Sequence, residues 1–217
     1  MVKHFLITRP NHDKETSYLH SFAKGIISIA KNTPNIHVTD LEGKDANRAN
    51  FEKSIQKINP RLIFLNGHGT AEQVWGYKNQ CLLDLTNIDL GQDKIIYALA
   101  CDSLAVLGDV AIKKGASAYI GYSDQFMCAF DPSRSASPHK DKNAAPFRRA
   151  GFVLVNSLLS GITVGDAIER TKEEYKRLIK IYGTSEDDPY GDSPLIGLAL
   201  SWNLISLGMC GDSQAVF

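Results

Sequence analysis

A mostly parallel α/β sheet covered by helices on both faces is the fold that the sequence predicts, and three observations carry that expectation. Short apolar runs alternate with stretches of helical period, the order that builds a sheet with crossover helices. Two of the runs, residues 62–65 and 95–100, are apolar throughout, as strands buried on both faces should be. Breakers also fall where helices should stop, at Asn32-Thr33-Pro34 and at Asn59-Pro60.

Taken in order, residues 4–8 read as a first strand, 15–30 as a helix and 36–39 as a second strand. A helix over 47–58 places Phe51, Ile55 and Ile58 on one stripe. The third strand, 62–65, is followed by a hairpin-bearing insertion over 73–85, a fourth strand over 95–100 and a helix over 104–114. A fifth strand spans 118–121. From 124 to 146 periodicity is lost and Pro132, Pro138 and Pro146 stand among serines and basic residues, which predicts a long exposed loop. Helices follow over 147–159 and 164–182, the second with Val164, Ile168, Tyr175, Leu178 and Tyr182 on one face. No internal repeat or linker divides the chain, so residues 1–217 are expected to form a single domain.

Composition excludes several classes. With 43% hydrophobic and 22% charged residues, a chain of 217 can fill a core, and disorder is not the default reading. Lys+Arg and Asp+Glu balance at 24 each, so no global field recruits nucleic acid or an anionic membrane. The basic residues Arg134, Lys140, Lys142, Arg148 and Arg149 are interspersed with Asp131 and Asp141 and make no nucleic-acid patch. No run approaches the ~18 apolar residues of a spanning helix, and the apolar start at residues 4–7 is too short for a signal core. The four cysteines, Cys81, Cys101, Cys128 and Cys210, have neither disulfide nor zinc-ligand spacing. No metal site is expected, and a reducing, cytoplasmic setting is.

The chemistry gathers past the ends of two strands. In open α/β sheets reactive groups collect beyond the carboxyl ends. Here one block ends in Asn66-Gly67-His68-Gly69 and the other in Cys101-Asp102-Ser103. If the strands are neighbours, imidazole and thiol emerge on one rim, with Cys101 as nucleophile and His68 as its base and later its acid. The start of the helix after Cys101 is expected to favour thiolate, with Asp102 as a first-turn acid. The N–H groups of Gly69 and Cys101 are candidates for an oxyanion hole, each donor being worth roughly 3 kcal/mol in such sites.

An apolar block ending in His-Gly followed by one ending in Ala-Cys resembles the caspase-like (caspase-hemoglobinase) cysteine peptidases of clan CD. The motifs are most similar to the gingipain, clostripain and CHAT-domain peptidases. Gly67-His68-Gly69-Thr70 with Trp75 resembles the gingipain histidine block, residues 115–121 its fifth-strand segment, and residues 207–212 the closing strand with Gly-Asp. The resemblance covers about residues 60–125 and 200–212. It implies a Cys-His dyad acting on protein or peptide substrate without an obligatory third carboxylate. Cys101 follows His68 by 33 positions (101 − 68), against ~50 in caspases, and lacks their flanking Gln and Gly. Aspartate specificity is therefore not implied.

Relatives place a pocket aspartate past the fifth strand, which points to Asp124 for selecting a basic residue, with Asp102 and Trp75 as further substrate contacts. Some mature by loop cleavage, which points to Arg134, Lys140 and Lys142 as cutting sites for the enzyme itself or for an activating protease. Some bind calcium; Glu186, Asp187, Asp188 and Asp192 match no EF-hand spacing and read as a solvated acidic turn. Two rivals differ in class. One is a catalytically idle caspase-like module that binds a regulatory protein. The other is a flavodoxin-like ligand-binding domain, which lacks its phosphate loop because the turn after the first strand has no glycine.

Overall fold

The computed structural model describes residues 2–182 and 193–217. Six strands form one sheet in the order β2-β1-β3-β6-β7-β8, all parallel except β8. These are β1 Lys3–Arg9, β2 Ile36–Glu42, β3 Leu62–Asn66, β6 Ile95–Leu99, β7 Ala118–Tyr122 and β8 Leu207–Gly211. The remaining two, β4 Gln73–Trp75 and β5 Cys81–Asp84, make the small antiparallel hairpin expected between the two motif-bearing strands.

Side-chain alternation along the central strands builds two cores. Phe5, Ile7, Phe64, Tyr97 and Leu99 face one side, and Leu6, Ile63, Leu65, Ile96 and Ala98 the other. The first core is covered by α1 (Lys14–Asn32), α4 (Ala145–Leu159), α5 (Val164–Tyr182) and α6 (Ser193–Ser206), the second by α2 (Arg48–Ile58), α3 (Leu107–Lys113) and the hairpin. Phe64 and Tyr97 stack across β3 and β6, with ring centroids 4.7 Å apart. Such a pair adds roughly 0.5–1.5 kcal/mol beyond its burial.

Differences from the sequence reading have local causes. The helix after β6 begins at Leu107 rather than 104, because residues 101–106 are spent on turns. The stretch 124–146 is more ordered than a free loop: it carries two short 3₁₀ turns, Pro132–Arg134 and Pro138–Lys140, and a buried anchor at Asp141. That carboxylate accepts from the Tyr18 hydroxyl at 2.6 Å and from the amides of Asp131, Asn143 and Ala144. Helix α6 went unread because it holds no charged residue and is apolar all round. It buries Ile196, Ala199 and Leu200 while Leu195, Leu198, Trp202 and Ile205 stay exposed. The acidic turn of Glu186, Asp187, Asp188 and Asp192 lies outside the described residues. Among the described residues no helix is long and apolar enough to cross a membrane.

Candidate active site

Strand order brings the two motifs together. β3 and β6 are hydrogen-bonded neighbours, and Asn66 pairs with Leu99. His68 and Cys101 therefore each stand two residues beyond a matched pair, on the carboxyl rim of adjacent parallel strands. The chain reverses its winding direction between β1 and β3, so the turn after β1 opens onto the same rim.

Glycine makes the approach possible. A Cβ on Gly67 would stand 2.0 Å from the carbonyl oxygen of Trp75, and one on Gly69 would stand 2.9 Å from both the Ala100 Cβ and the Cys101 oxygen. The hairpin straps this turn from outside, the Trp75 amide donating to the His68 carbonyl at 2.8 Å and the Thr70 amide to Gln73 at 2.8 Å. Trp75 is half-buried and its indole N–H is occupied by Gln73 Oε1, 2.8 Å away.

On the other side, Asp102 adopts φ 54°, a left-handed turn that Asp tolerates better than most residues. Its amide donates to the Asp124 carbonyl and that of Leu104 to Tyr122, each at 3.0 Å, tying the Cys101 turn to the end of β7. The side chain thus begins no helix, and with α3 starting at Leu107 no helix end lies at the thiol to stabilise a thiolate. Burial pushes the Cys101 thiol above its ordinary value, the Phe126 amide works against that by donating to the sulfur, and the charges of Asp102 and Asp124 push it further up.

The residue that the sequence reading missed is Asp13, in the turn after β1. It caps α1: one oxygen accepts from the Thr16 amide at 2.8 Å and from its hydroxyl at 2.6 Å. The other lies 2.8 Å from Nε2 of His68. Burial alone would raise the Asp13 carboxyl, but the Thr16 and His68 hydrogen bonds outweigh it and hold the group below its ordinary range. The Asp-x-x-Thr capping pattern before an apolar stripe was the available signal; nothing in sequence links it to a histidine 55 positions away.

His12, Asp13 and His68 also form the one group of potential metal donors among the described residues, all within 4.8 Å of one another. A metal on Nε2 of His12 would move the ring proton to Nδ1, which is buried without a partner. Metal-bound histidines normally anchor that second N–H, so the trio fits a hydrogen-bonded network better than a metal centre.

His68 and Cys101 line one cleft of about 160 Å³, whose walls are mainly apolar: Leu19 and Phe22 from α1, Leu99, and Phe126 and Phe130 from the following loop. Asp102, Asp124 and Trp75 stand outside that lining. The amides of Gly69 and Cys101 donate to no other residue among those described. Arg134, Lys140 and Lys142 are exposed.

No protein-family model matches the chain, and no curated protein matches it in sequence. In architecture it is similar to a solved structure described as "Structure of Protease", with a TM-score of 0.60, 11% identity, and coverage of 99% of this chain and 48% of that one. It is also similar, over 58% of its length and 53% of the other's, to a secreted C11 cysteine protease from Bacteroides thetaiotaomicron, "iotapain", at 12% identity and a TM-score of 0.44. The chain thus spans about half the length of each. At 11% identity the likeness to the first is one of fold.

Proposed function

We propose that this chain is a caspase-like cysteine peptidase in which Cys101 is the nucleophile and His68 its general base and acid. The observation that carries the reading is the matched placement of imidazole and thiol beyond neighbouring parallel strands, facing one apolar cleft. With Nε2–H given to Asp13, Nδ1 of His68 is left to take the thiol proton as Cys101 Sγ bonds to the scissile carbonyl carbon. The Gly69 amide, which donates to no other described residue, suits the oxyanion that forms, joined by the Cys101 amide as its own sulfur moves to the carbonyl carbon. His68 then returns the proton to the leaving amine as the C–N bond breaks. Water, deprotonated by the same ring, cleaves the thioester and releases acid and thiol.

The elevated Cys101 thiol fits a resting enzyme that is uncharged at the sulfur and transfers its proton only as attack begins. A preference for cleavage after a basic residue and maturation by a cut after Arg134, Lys140 or Lys142 belong to the same reading, as does a protein or peptide substrate. The direct test is labelling by a thiol-reactive peptidyl probe, read by intact mass, together with turnover of a peptide library. Cys101→Ala should abolish both while the fold, followed by circular dichroism, is retained. Probe incorporation at Cys81 or Cys210 instead, or turnover by the Ala variant, would remove the assignment.

A further inference from the structure

Among the described residues Glu15 is the one acidic side chain that lines the cleft before Cys101, and we infer that Glu15 is the residue that selects arginine or lysine at the cleavage position. The inference rests on the peptidase reading of the site and assigns its substrate class to one carboxylate.

Glu15, Leu19 and Phe22 lie at positions i, i+4 and i+7 of α1, so they share one helix face, and all three line the cleft. Leu19 and Phe22 are buried, whereas Glu15 is exposed at the mouth. The walls are therefore apolar and the rim carries a negative charge. A cleft of about 160 Å³ falls well below the ~300 Å³ of small-molecule pockets, so it suits one side chain. Arginine and lysine match it: the aliphatic stem covers apolar wall while the charged head stays at the wetter end.

Glu15 is also free to act. It makes no hydrogen bond or ion pair among the described residues, and as an exposed first-turn residue it caps nothing, that task being done by Asp13. The aromatic wall already accepts a cation, since the Lys14 ammonium stands 4.9 Å over the Phe130 ring. Asp124, the other candidate, does not line the cleft, and its Oδ1 accepts from the Gln125 amide at 2.7 Å.

Matched fluorogenic peptides ending in arginine, its neutral isostere citrulline, and norleucine separate charge from shape. Wild type should cleave the arginine peptide at least about tenfold faster than the citrulline peptide in kcat/KM. Glu15→Gln should bring that ratio close to one; Asp124→Asn and Asp102→Asn should preserve it. An arginine-to-citrulline ratio untouched by Glu15→Gln, or lost in Asp124→Asn instead, overturns the assignment. Chloromethyl ketones with the same terminal residues report the same discrimination through their labelling rates at Cys101. Loss of all turnover with selective labelling intact would therefore sink the peptidase reading and keep Glu15; labelling that ignores the terminal residue would sink Glu15.

Discussion

Asp13 divides its carboxylate between two tasks, Oδ1 closing the first turn of α1 on Thr16 and Oδ2 lying 2.8 Å from Nε2 of His68. Two substitutions separate the tasks. Asparagine caps as well as aspartate, so Asp13→Asn should keep the melting temperature near wild type yet lower kcat by about tenfold or more, part of the ~10²–10⁴ that acid–base catalysis supplies. Asp13→Ala should also lose about 1 kcal/mol of stability with the cap. Equal activity of wild type and Asp13→Asn across the pH range would deny Asp13 any part in orienting His68.

The same carboxyl fixes the sign of a pH effect on stability. Its folded value lies below its unfolded one. Its contribution is therefore complete above the ordinary carboxylate range and disappears as pH falls through the depressed folded value. Wild type should thus lose more stability than Asp13→Asn between about pH 5 and pH 3, as followed by urea midpoints. Parallel losses would contradict the assignment.

Cys101 should behave as a slow thiol. Because burial and the charges of Asp102 and Asp124 raise it, the midpoint for alkylation by iodoacetamide should lie above the ~8.5 of a free cysteine. Asp102→Asn and Asp124→Asn should each lower it. A midpoint in the acidic range would indicate a standing thiolate and a different route to activation.

Gly69 packs directly on the Cys101 turn, so Gly69→Ala should displace Ala100 and Cys101. A cost of about 1–3 kcal/mol is expected from overpacking, with peptide turnover falling further than stability alone explains. Thermal melts beside kcat/KM decide the point; an alanine variant of full activity would show that the turn can yield.

The Tyr18–Asp141 hydrogen bond, 2.6 Å long and buried, pins the segment that carries the expected cutting sites. Brief trypsin treatment should therefore cut first after Arg134, in the exposed half, and spare Lys140 and Lys142 beside the anchor. Tyr18→Phe, which withdraws a donor from a buried carboxylate, should cost about 1–3 kcal/mol and open the two lysine sites. Mass spectrometry of the fragments distinguishes the patterns, and first cleavage at Lys140 in wild type would count against the clamp.

How much was legible depended on how far apart the informative residues stood. Residues 62–65 and 95–100 declared their strands because each is apolar on both faces, and each leads into His68 or Cys101, so both reactive strand ends were readable locally, while their meeting on one rim awaited the sheet order. Asp13 was not, since its partner comes from another strand end and only sheet order makes them neighbours. The boundary of α3 was misjudged because periodicity continues back through Leu104, while the left-handed turn at Asp102 and its bond to Asp124 keep the chain from closing a helix there. Helix α6 has no polar face to mark its period. Asp141 looked like one more charge in a basic loop, because nothing nearby in sequence reveals that Tyr18 reaches it.

The cleft is walled by α1, by the turns after β3 and β6, and by the loop after β7, segments that touch only once the crossovers have stacked the sheet. Such long-range pairing forms late and slowly relative to local helices. A chain still in the act of folding has helices and a thiol, but no apolar slot to seat a peptide bond and no aspartate behind the imidazole. On the proposed peptidase reading, cutting power arrives with the final cooperative step, and a half-made molecule is harmless to its neighbours and to itself.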